Sequence, residues 1–170
     1  MKLKVSLLSL AFMMCFLTQN KAQQTARVVK VKDGDTYVFK TGSRSFTVRL
    51  NKIDAPELKQ SGGFKSYQFV SGLIIGKLIA YDSTGKDLYG RVLVNVKLEG
   101  KRLDSLIIRN GWAWHYVNYD NEVMLENAMQ EAITDRLGLW ACGTPKVCPP
   151  WLWRSYNTRN KTRYCKGCNI

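Results

Sequence analysis

Five segments of the chain have the apolar, β-branched pattern of β-strands. In residues 46–51, Phe46, Val48 and Leu50 point to one face and Arg49 points to the other, because successive side chains alternate along a strand. Short turns at 33–35 and 41–45 join the first three segments, which predicts an antiparallel meander. The predicted strands span residues 26–32, 36–40, 46–51, 78–84 and 91–100.

Three further segments have helical patterns. Residues 64–77 and 121–140 repeat apolar residues every three or four positions, and Gly111 ends a shorter helix over 102–111. The stripe of the last helix consists of Leu125, Ala128, Met129, Ala132 and Ile133. A helix after the third strand and helices at the end predict an α+β fold, mainly β. The predicted architecture is a five-stranded OB-fold barrel packed with about three helices.

The first 22 residues have the pattern of a signal peptide. Lys2 and Lys4 precede the apolar run 5–17, and Ala22 is the expected cleavage residue. The run is too short to span a membrane comfortably, and Cys15 lacks the small preceding residues of a lipoprotein. We therefore expect an exported protein, periplasmic or secreted. Its OB-fold domain would occupy residues 23–141, followed by a C-terminal extension over 142–170.

The chain is strongly basic, with 26 Lys and Arg against 13 Asp and Glu in 170 residues, a net charge of +13. Removing residues 1–22 takes away three lysines and no acid, which leaves +10. Such an excess indicates a polyanionic partner, either nucleic acid or an anionic membrane surface. Binding to a membrane surface requires a basic amphipathic helix, and the sequence pattern contains none.

The extension over residues 142–170 is basic, aromatic and rich in cysteine. In an exported chain its four cysteines predict two disulfides, with three pairings open. The preferred pairing joins Cys142 and Cys148 to Cys165 and Cys168, which would pin the extension to the barrel. A four-cysteine zinc site is the alternative. The aromatic residues would form either a nucleic-acid-binding surface or a compact surface around a tryptophan core.

Acidic and basic residues collect near the strand ends. Asp35 opens the second strand, and Asp54 and Glu57 follow the third, so residues 35 and 54 can lie at the same end of neighbouring strands. Two nearby carboxylates repel each other unless a positive charge lies between them, and Ca²⁺ or Mg²⁺ prefers oxygen ligands. Arg49 and Arg91 would offer guanidinium groups to phosphate. Taken singly, each acid is ordinary turn chemistry.

Three sequence blocks carry a resemblance to a known family. "DGDT" (33–36), "RLNKIDAPE" (49–57) and "DLYGR" (87–91) resemble, in order and separation, the signature blocks of the staphylococcal nuclease, or thermonuclease, family. The resemblance covers roughly residues 26–140. It implies an OB barrel with helices whose members cleave DNA and RNA with Ca²⁺.

The resemblance implies a calcium site. Asp35 and Asp54 would bind Ca²⁺ through their carboxylates. Ala55, a position that is often threonine in the family, would offer its backbone carbonyl. Asp33 would support these ligands without contacting the metal itself.

The resemblance also implies roles toward the substrate. Glu57 would be the general base or the group that orients the attacking water, and Arg49 and Arg91 would hold the scissile phosphate and stabilise the transition state. The only histidine, His115, is distant in sequence from this set. The aromatic residues expected against the nucleotide are Tyr89, Tyr116 and Tyr119.

These expectations describe an exported, Ca²⁺-dependent nuclease that hydrolyses phosphodiester bonds in DNA and RNA as a monomer. Single-stranded substrate should be preferred, because a flexible strand enters an OB cleft more easily. The alternative is a non-catalytic OB-fold module that binds nucleic acid without cleaving it. The presence of all three acids and both arginines favours the enzyme.

Overall fold

The computed structural model describes residues 23–116, 122–143 and 147–168, so the predicted signal peptide lies outside the described residues. The strands are β1 (Gln24–Val31), β2 (Thr36–Thr41), β3 (Arg44–Leu50), β4 (Ile53–Asp54), β5 (Leu78–Lys86), β6 (Val92–Leu98), β7 (Lys101–Arg102) and β8 (Trp114–His115). The helices are α1 (Gly63–Ile74), α2 (Leu103–Arg109), α3 (Val123–Thr134), α4 (Pro150–Ser155) and α5 (Thr158–Tyr164), with a 3₁₀ turn at Gly138–Trp140.

Five strands close into a barrel, which confirms the predicted fold class. β1 pairs antiparallel with both β2 and β5, and the pairs β2–β3 and β5–β6 are also antiparallel. A parallel pairing of β3 with β6, in which Val48 lies opposite Val92, completes the ring. β3 therefore lies between β2 and β6, so Thr36 at the start of β2, Arg49 near the end of β3 and Arg91 just before β6 come to the same end of the barrel.

The barrel interior follows the predicted alternation. Val48 and Leu50 of β3 are buried, whereas Arg49 between them is only partly buried. Phe39 is fully buried and makes edge contacts with Phe46 and Tyr81, at ring separations of 6.0 and 5.3 Å. Burial of this apolar surface is the main source of stability for the barrel.

Two helices end earlier than the sequence pattern suggests. The predicted helix over 121–140 ends at Thr134, because Arg136 adopts a left-handed backbone conformation with φ 54° and the chain turns into the 3₁₀ segment. The predicted helix over 64–77 ends at Ile74, and Gly76 with φ 76° directs the chain into β5. The apolar stripes continue past both ends, so periodicity alone overestimates the two lengths.

Two disulfides and two short helices form the extension. Cys142 is bonded to Cys168 and Cys148 to Cys165, as in the preferred pairing, so the thiols are not zinc ligands. Of residues 147–168, only four are buried, and they are Cys148, Pro150, Cys165 and Cys168. A tryptophan core is therefore absent from this segment, and Trp151 is 38% exposed. Among the described residues, no helix has the length and apolar character needed to cross a membrane.

Candidate active site

The turn before β2 directs Asp35 toward the start of the next loop. The carboxylate of Asp33 accepts hydrogen bonds from the backbone N–H groups of Asp35 and Thr36, at 3.0 and 2.7 Å. A Cβ on Gly34 would lie 2.6 Å from the Cβ of Ala55, so only glycine allows this approach. Asp35 Oδ2 then accepts the backbone N–H of Ala55 at 2.9 Å. The local turn therefore joins the first and second sequence blocks.

Arg49 brings the two predicted metal ligands together. Its Nη2 lies 3.4 Å from Asp35 Oδ2 and 3.0 Å from Asp54 Oδ1. Burial alone would lower the pKa of Arg49, but the carboxylates of Asp35 and Asp54 outweigh burial and raise it. The guanidinium group is therefore charged throughout the physiological pH range and neutralises two acids that would otherwise repel each other.

Burial raises the pKa of two of the acids, Asp54 and Asp33. Burial raises the pKa of Asp54, an effect that hydrogen bonds from Arg154 and the charge of Arg49 only partly offset. Burial and the adjacent Asp35 carboxylate raise the pKa of Asp33 to about 7. A concentration of buried acids with perturbed pKa values is typical of functional sites.

Glu57 lies in the loop between β4 and α1, where its side chain is 42% exposed. Gln60 holds this loop: its Oε1 accepts the Glu57 N–H at 3.2 Å, and its own N–H donates to the Glu57 carbonyl at 2.8 Å. The Nε2 of buried Gln60 also donates to the carbonyl of Cys148 in the extension. The loop that carries the predicted general base is thus tied directly to the C-terminal extension.

Arg91 is oriented by the turn between β5 and β6. Asp87 accepts the Arg91 backbone N–H at 2.9 Å and its Nε at 2.6 Å. Arg91 Nη1 lies 3.4 Å from Thr36 Oγ1, which in turn donates to Asp35 Oδ1 at 2.8 Å. Hydrogen bonds from Arg91 lower the pKa of Asp87, although burial alone would raise it. The second arginine is therefore linked to the acids through Thr36.

Arg154 of α4 also enters this site, and the sequence reasoning did not find it. Its Nη2 lies 2.7 Å from Asp54 Oδ2, and its Nη1 lies 3.2 Å from Asp54 Oδ1 and 3.1 Å from Glu57 Oε1. The Asp54 side chain is 1% exposed, whereas that of Arg154 is 46% exposed. The site consequently contains three arginines, two from the barrel and one from the extension.

The predicted aromatic contacts have different surroundings. Tyr89 is 85% exposed, and Arg91 Cζ lies 5.5 Å from the centre of its ring. Tyr116 packs against Trp151 of α4 at a ring separation of 6.0 Å, whereas Tyr119 lies outside the described residues. His115 is buried on β8, and its Nδ1 lies 3.3 Å from Glu126 Oε2.

The oxygen atoms of this site are chemically suited to a hard cation. Asp35 and Asp54 provide carboxylate oxygens that share one nitrogen of Arg49, and Ala55 follows Asp54 directly. Oxygen donors of this kind suit Ca²⁺, whose remaining ligands are commonly waters and backbone carbonyls. Within the described ranges, no three His, Cys, Asp or Glu side chains are grouped to hold a metal ion. A cation here would therefore use two carboxylates and the backbone.

Acids and arginines that converge at one end of an OB-type barrel are typical of proteins that act on the phosphates of nucleic acid. A family model described as staphylococcal nuclease homologue matches residues 47–142, and the chain belongs to that family. The match includes Arg49, Asp54, Glu57 and Arg91 but begins after Asp35 and ends before Arg154. Both the Asp35 turn and the α4 arginine therefore lie outside the matched span.

Curated relatives agree with this family. An uncharacterized endonuclease of Escherichia coli is 36% identical over 129 residues, which cover 75% of this chain and 83% of the relative. A second, from Haemophilus influenzae, is 35% identical over 153 residues, covering 89% and 85%. The staphylococcal-like nuclease CAN1 of Arabidopsis thaliana is 34% identical over 112 residues, covering 66% and 34%. Family and relatives support a nuclease, an enzyme that hydrolyses nucleic acid.

Proposed function

We propose that this protein is an exported, Ca²⁺-dependent nuclease that cleaves phosphodiester bonds in DNA and RNA and prefers single strands. The observation that carries the proposal is the junction of Asp35 and Asp54 on one nitrogen of Arg49. It brings together the oxygen ligands for a cation and a guanidinium group for phosphate. All of these residues come from one chain, so the proposed site needs no residue from a second copy.

Ca²⁺ would be held by Asp35, Asp54 and the backbone carbonyl of Ala55. When bound, it supplies positive charge that stabilises negative charge building up on the phosphate oxygens. Arg49 and Arg91 contribute to the same stabilisation through hydrogen bonds directed at the phosphate.

We infer that Glu57 is the carboxylate that acts on water. Its side chain is more exposed than that of Asp54, at 42% against 1%, so water reaches it directly. As general base it would accept a proton from the attacking water, and the new bond would form between the water oxygen and phosphorus. The bond between phosphorus and the leaving sugar oxygen would then break, that oxygen would take up a proton from solvent water, and Glu57 would return its proton to solvent.

Export and strand preference rest on separate observations. The two disulfides of the extension suit an oxidising compartment, which supports the prediction of a signal peptide over residues 1–22. Mass spectrometry of the exported protein should find a chain that begins near residue 23. A single strand is flexible enough to reach acids as buried as Asp54, so it should be cleaved faster than duplex.

The test of function compares cleavage of single-stranded DNA, duplex DNA and RNA with Ca²⁺ and with EDTA. Glu57→Gln should lower kcat about 10²- to 10⁴-fold, since it removes the general base and keeps the side-chain shape. Arg91→Ala should lower kcat by about 10²-fold or more. Single-turnover assays at saturating substrate measure both effects.

Matched variants control for charge. Glu99→Gln removes an exposed carboxylate and Arg44→Ala an exposed arginine of β3, and both should cleave at the wild-type rate. Equal cleavage in Ca²⁺ and EDTA would contradict the calcium requirement. Tight binding without any cleavage would contradict the enzyme and identify a non-catalytic binding module.

A further inference from the structure

The extension presents a surface of only positive side-chain charge beside the candidate active site. Residues 147–168 contain no acidic residue. Their five basic residues are Arg154, Arg159, Lys161, Arg163 and Lys166. Its aromatic side chains are partly exposed rather than packed into a core, and Lys161 Nζ lies 4.8 Å from the centre of the Trp153 ring. Exposed rings interleaved with cations are the combination that binds single-stranded nucleic acid.

One face of α4 connects this surface to the acids. Arg154 and Trp151 are three residues apart, so they lie on the same side of the helix. Arg154 contacts Asp54 and Glu57, while Trp151 lies 6.0 Å from the Tyr116 ring and 6.5 Å from the Trp114 ring. The helix thus continues the site outward from the carboxylates to an aromatic pair.

The extension is anchored, so this arrangement persists. Two disulfides close it, Gln60 donates to the Cys148 carbonyl, and Ser61 Oγ lies 3.3 Å from the Cys168 carbonyl. Gln60 and Ser61 belong to the same loop as Glu57. The guanidinium of Arg154 is therefore fixed beside the site while 46% of its side chain faces solvent, where a strand would pass.

We propose that the C-terminal extension forms part of the substrate-binding surface. Arg154 contacts a phosphate of the bound strand next to the scissile position, and Trp151 with Tyr116 stacks a neighbouring base. The inference rests on the proposed nuclease function and adds a third arginine, from outside the matched family span, to the two of the barrel. Arginine suits this position because its planar fork binds carboxylates in the free protein and phosphate in the complex.

The experiment measures binding of a fluorescein-labelled oligothymidine in EDTA, so cleavage does not interfere. All variants carry Asp54→Asn and Glu57→Gln, which remove the carboxylate partners of Arg154 and isolate any contact with the strand. In this background Arg154→Ala should weaken binding by about tenfold and reduce the slope of log K against log salt by about 0.7, the value for one lost phosphate contact on a single strand. Arg154→Lys keeps the charge and should keep the slope.

Trp151→Ala should weaken binding about fivefold or more and leave the salt slope unchanged, because stacking releases no counterions. Arg44→Ala is the matched control: it removes the same charge from the exposed start of β3, outside the extension, and should change affinity less than twofold. Unchanged or tighter binding by the Arg154→Ala variant would show that this arginine only neutralises Asp54 and Glu57. An equal loss for Arg44→Ala would show diffuse attraction instead of a defined contact.

The two proposals fail in different ways. If Arg154→Ala weakens binding in the neutralised background but the unmodified protein with Ca²⁺ shows no cleavage, the nuclease function is wrong while the binding surface stands. If cleavage occurs and Arg154→Ala binds normally in the neutralised background, only the role of the extension is wrong.

Discussion

The barrel and the C-terminal extension are stabilised in different ways. The barrel buries a continuous set of apolar side chains, in which Val28, Tyr37, Phe39 and Ile107 are fully inaccessible to solvent. The extension buries little besides Cys148, Pro150, Cys165 and Cys168, and two disulfides hold it. Apolar burial stabilises the first region, and covalent closure of loops stabilises the second.

This difference shows how one site can be assembled from unlike parts. The barrel provides rigid strand ends that place Asp35, Arg49 and Asp54. The extension adds Arg154 from a helix of six residues, which is too short to be stable alone in water. The position of Arg154 therefore depends on the disulfides, whereas the positions of the barrel residues depend on the core.

The largest expected effect separates the two regions. Replacing Cys148 and Cys165 together by serine opens a loop with a sequence separation of 17 residues, which should destabilise the extension by about 3 kcal/mol. Limited trypsin digestion should then cut after Arg159, Lys161 and Arg163 roughly 100-fold faster, because cleavage follows the population of the open form. Barrel sites such as Lys40 in the same digest are the internal control. Equal acceleration at barrel sites would mean that the two regions unfold as one unit.

Much of the barrel is predictable from sequence because strand alternation reports burial directly. Val48 and Leu50 are buried on the face that the pattern assigns to the core, and Asp35 and Asp54 meet because they lie at neighbouring strand ends. The disulfide pairing also agrees with the preferred one. In these cases the determining contacts are local or follow from strand order.

Contacts that depend on the folded path of the extension are not predictable in this way. Arg154 reaches Glu57 across 97 positions, and no periodicity or motif links the two. In the sequence, Gln60 cannot be told from any other loop glutamine, and only the folded structure shows that it donates to the Cys148 carbonyl. The abundance of basic residues in the extension was the only available signal. It indicates attraction to a polyanion but not which arginine enters the site.

A substitution at Gln60, which links the barrel loop to the extension, should have an intermediate effect on stability. Gln60→Leu removes the bonds from one side chain to the Glu57 N–H and the Cys148 carbonyl, so we expect a loss of about 1–3 kcal/mol in unfolding free energy. It should also lower kcat more than it changes KM, since the Glu57 loop loses its support. Urea unfolding and steady-state kinetics measure these effects.

The matched variant Gln130→Leu changes an exposed glutamine of α3, and its free energy of unfolding should be within about 0.5 kcal/mol of wild type. A stable Gln60→Leu variant with normal kcat would mean that the extension does not support the Glu57 loop.

The smallest expected effect concerns a charged contact on the barrel side. Lys52 and Arg102 lower the pKa of Glu122 to about 2 from its usual 4.5, so this acid stabilises the fold above its unfolded pKa. The contribution should disappear as pH falls from about 5 toward 2, and it should amount to about 1 kcal/mol because the side chains are partly exposed. Residues 147–168 have no side-chain carboxylate, so low pH affects the barrel and the Arg154 contacts rather than contacts within the extension.

Glu122→Gln should flatten this part of the pH–stability curve, measured by urea unfolding. Glu131→Gln, which breaks a more exposed pair with Arg109, should leave it nearly unchanged. If both variants kept the wild-type slope, the pairing of Glu122 with Lys52 and Arg102 would not stabilise the junction between α3 and the barrel.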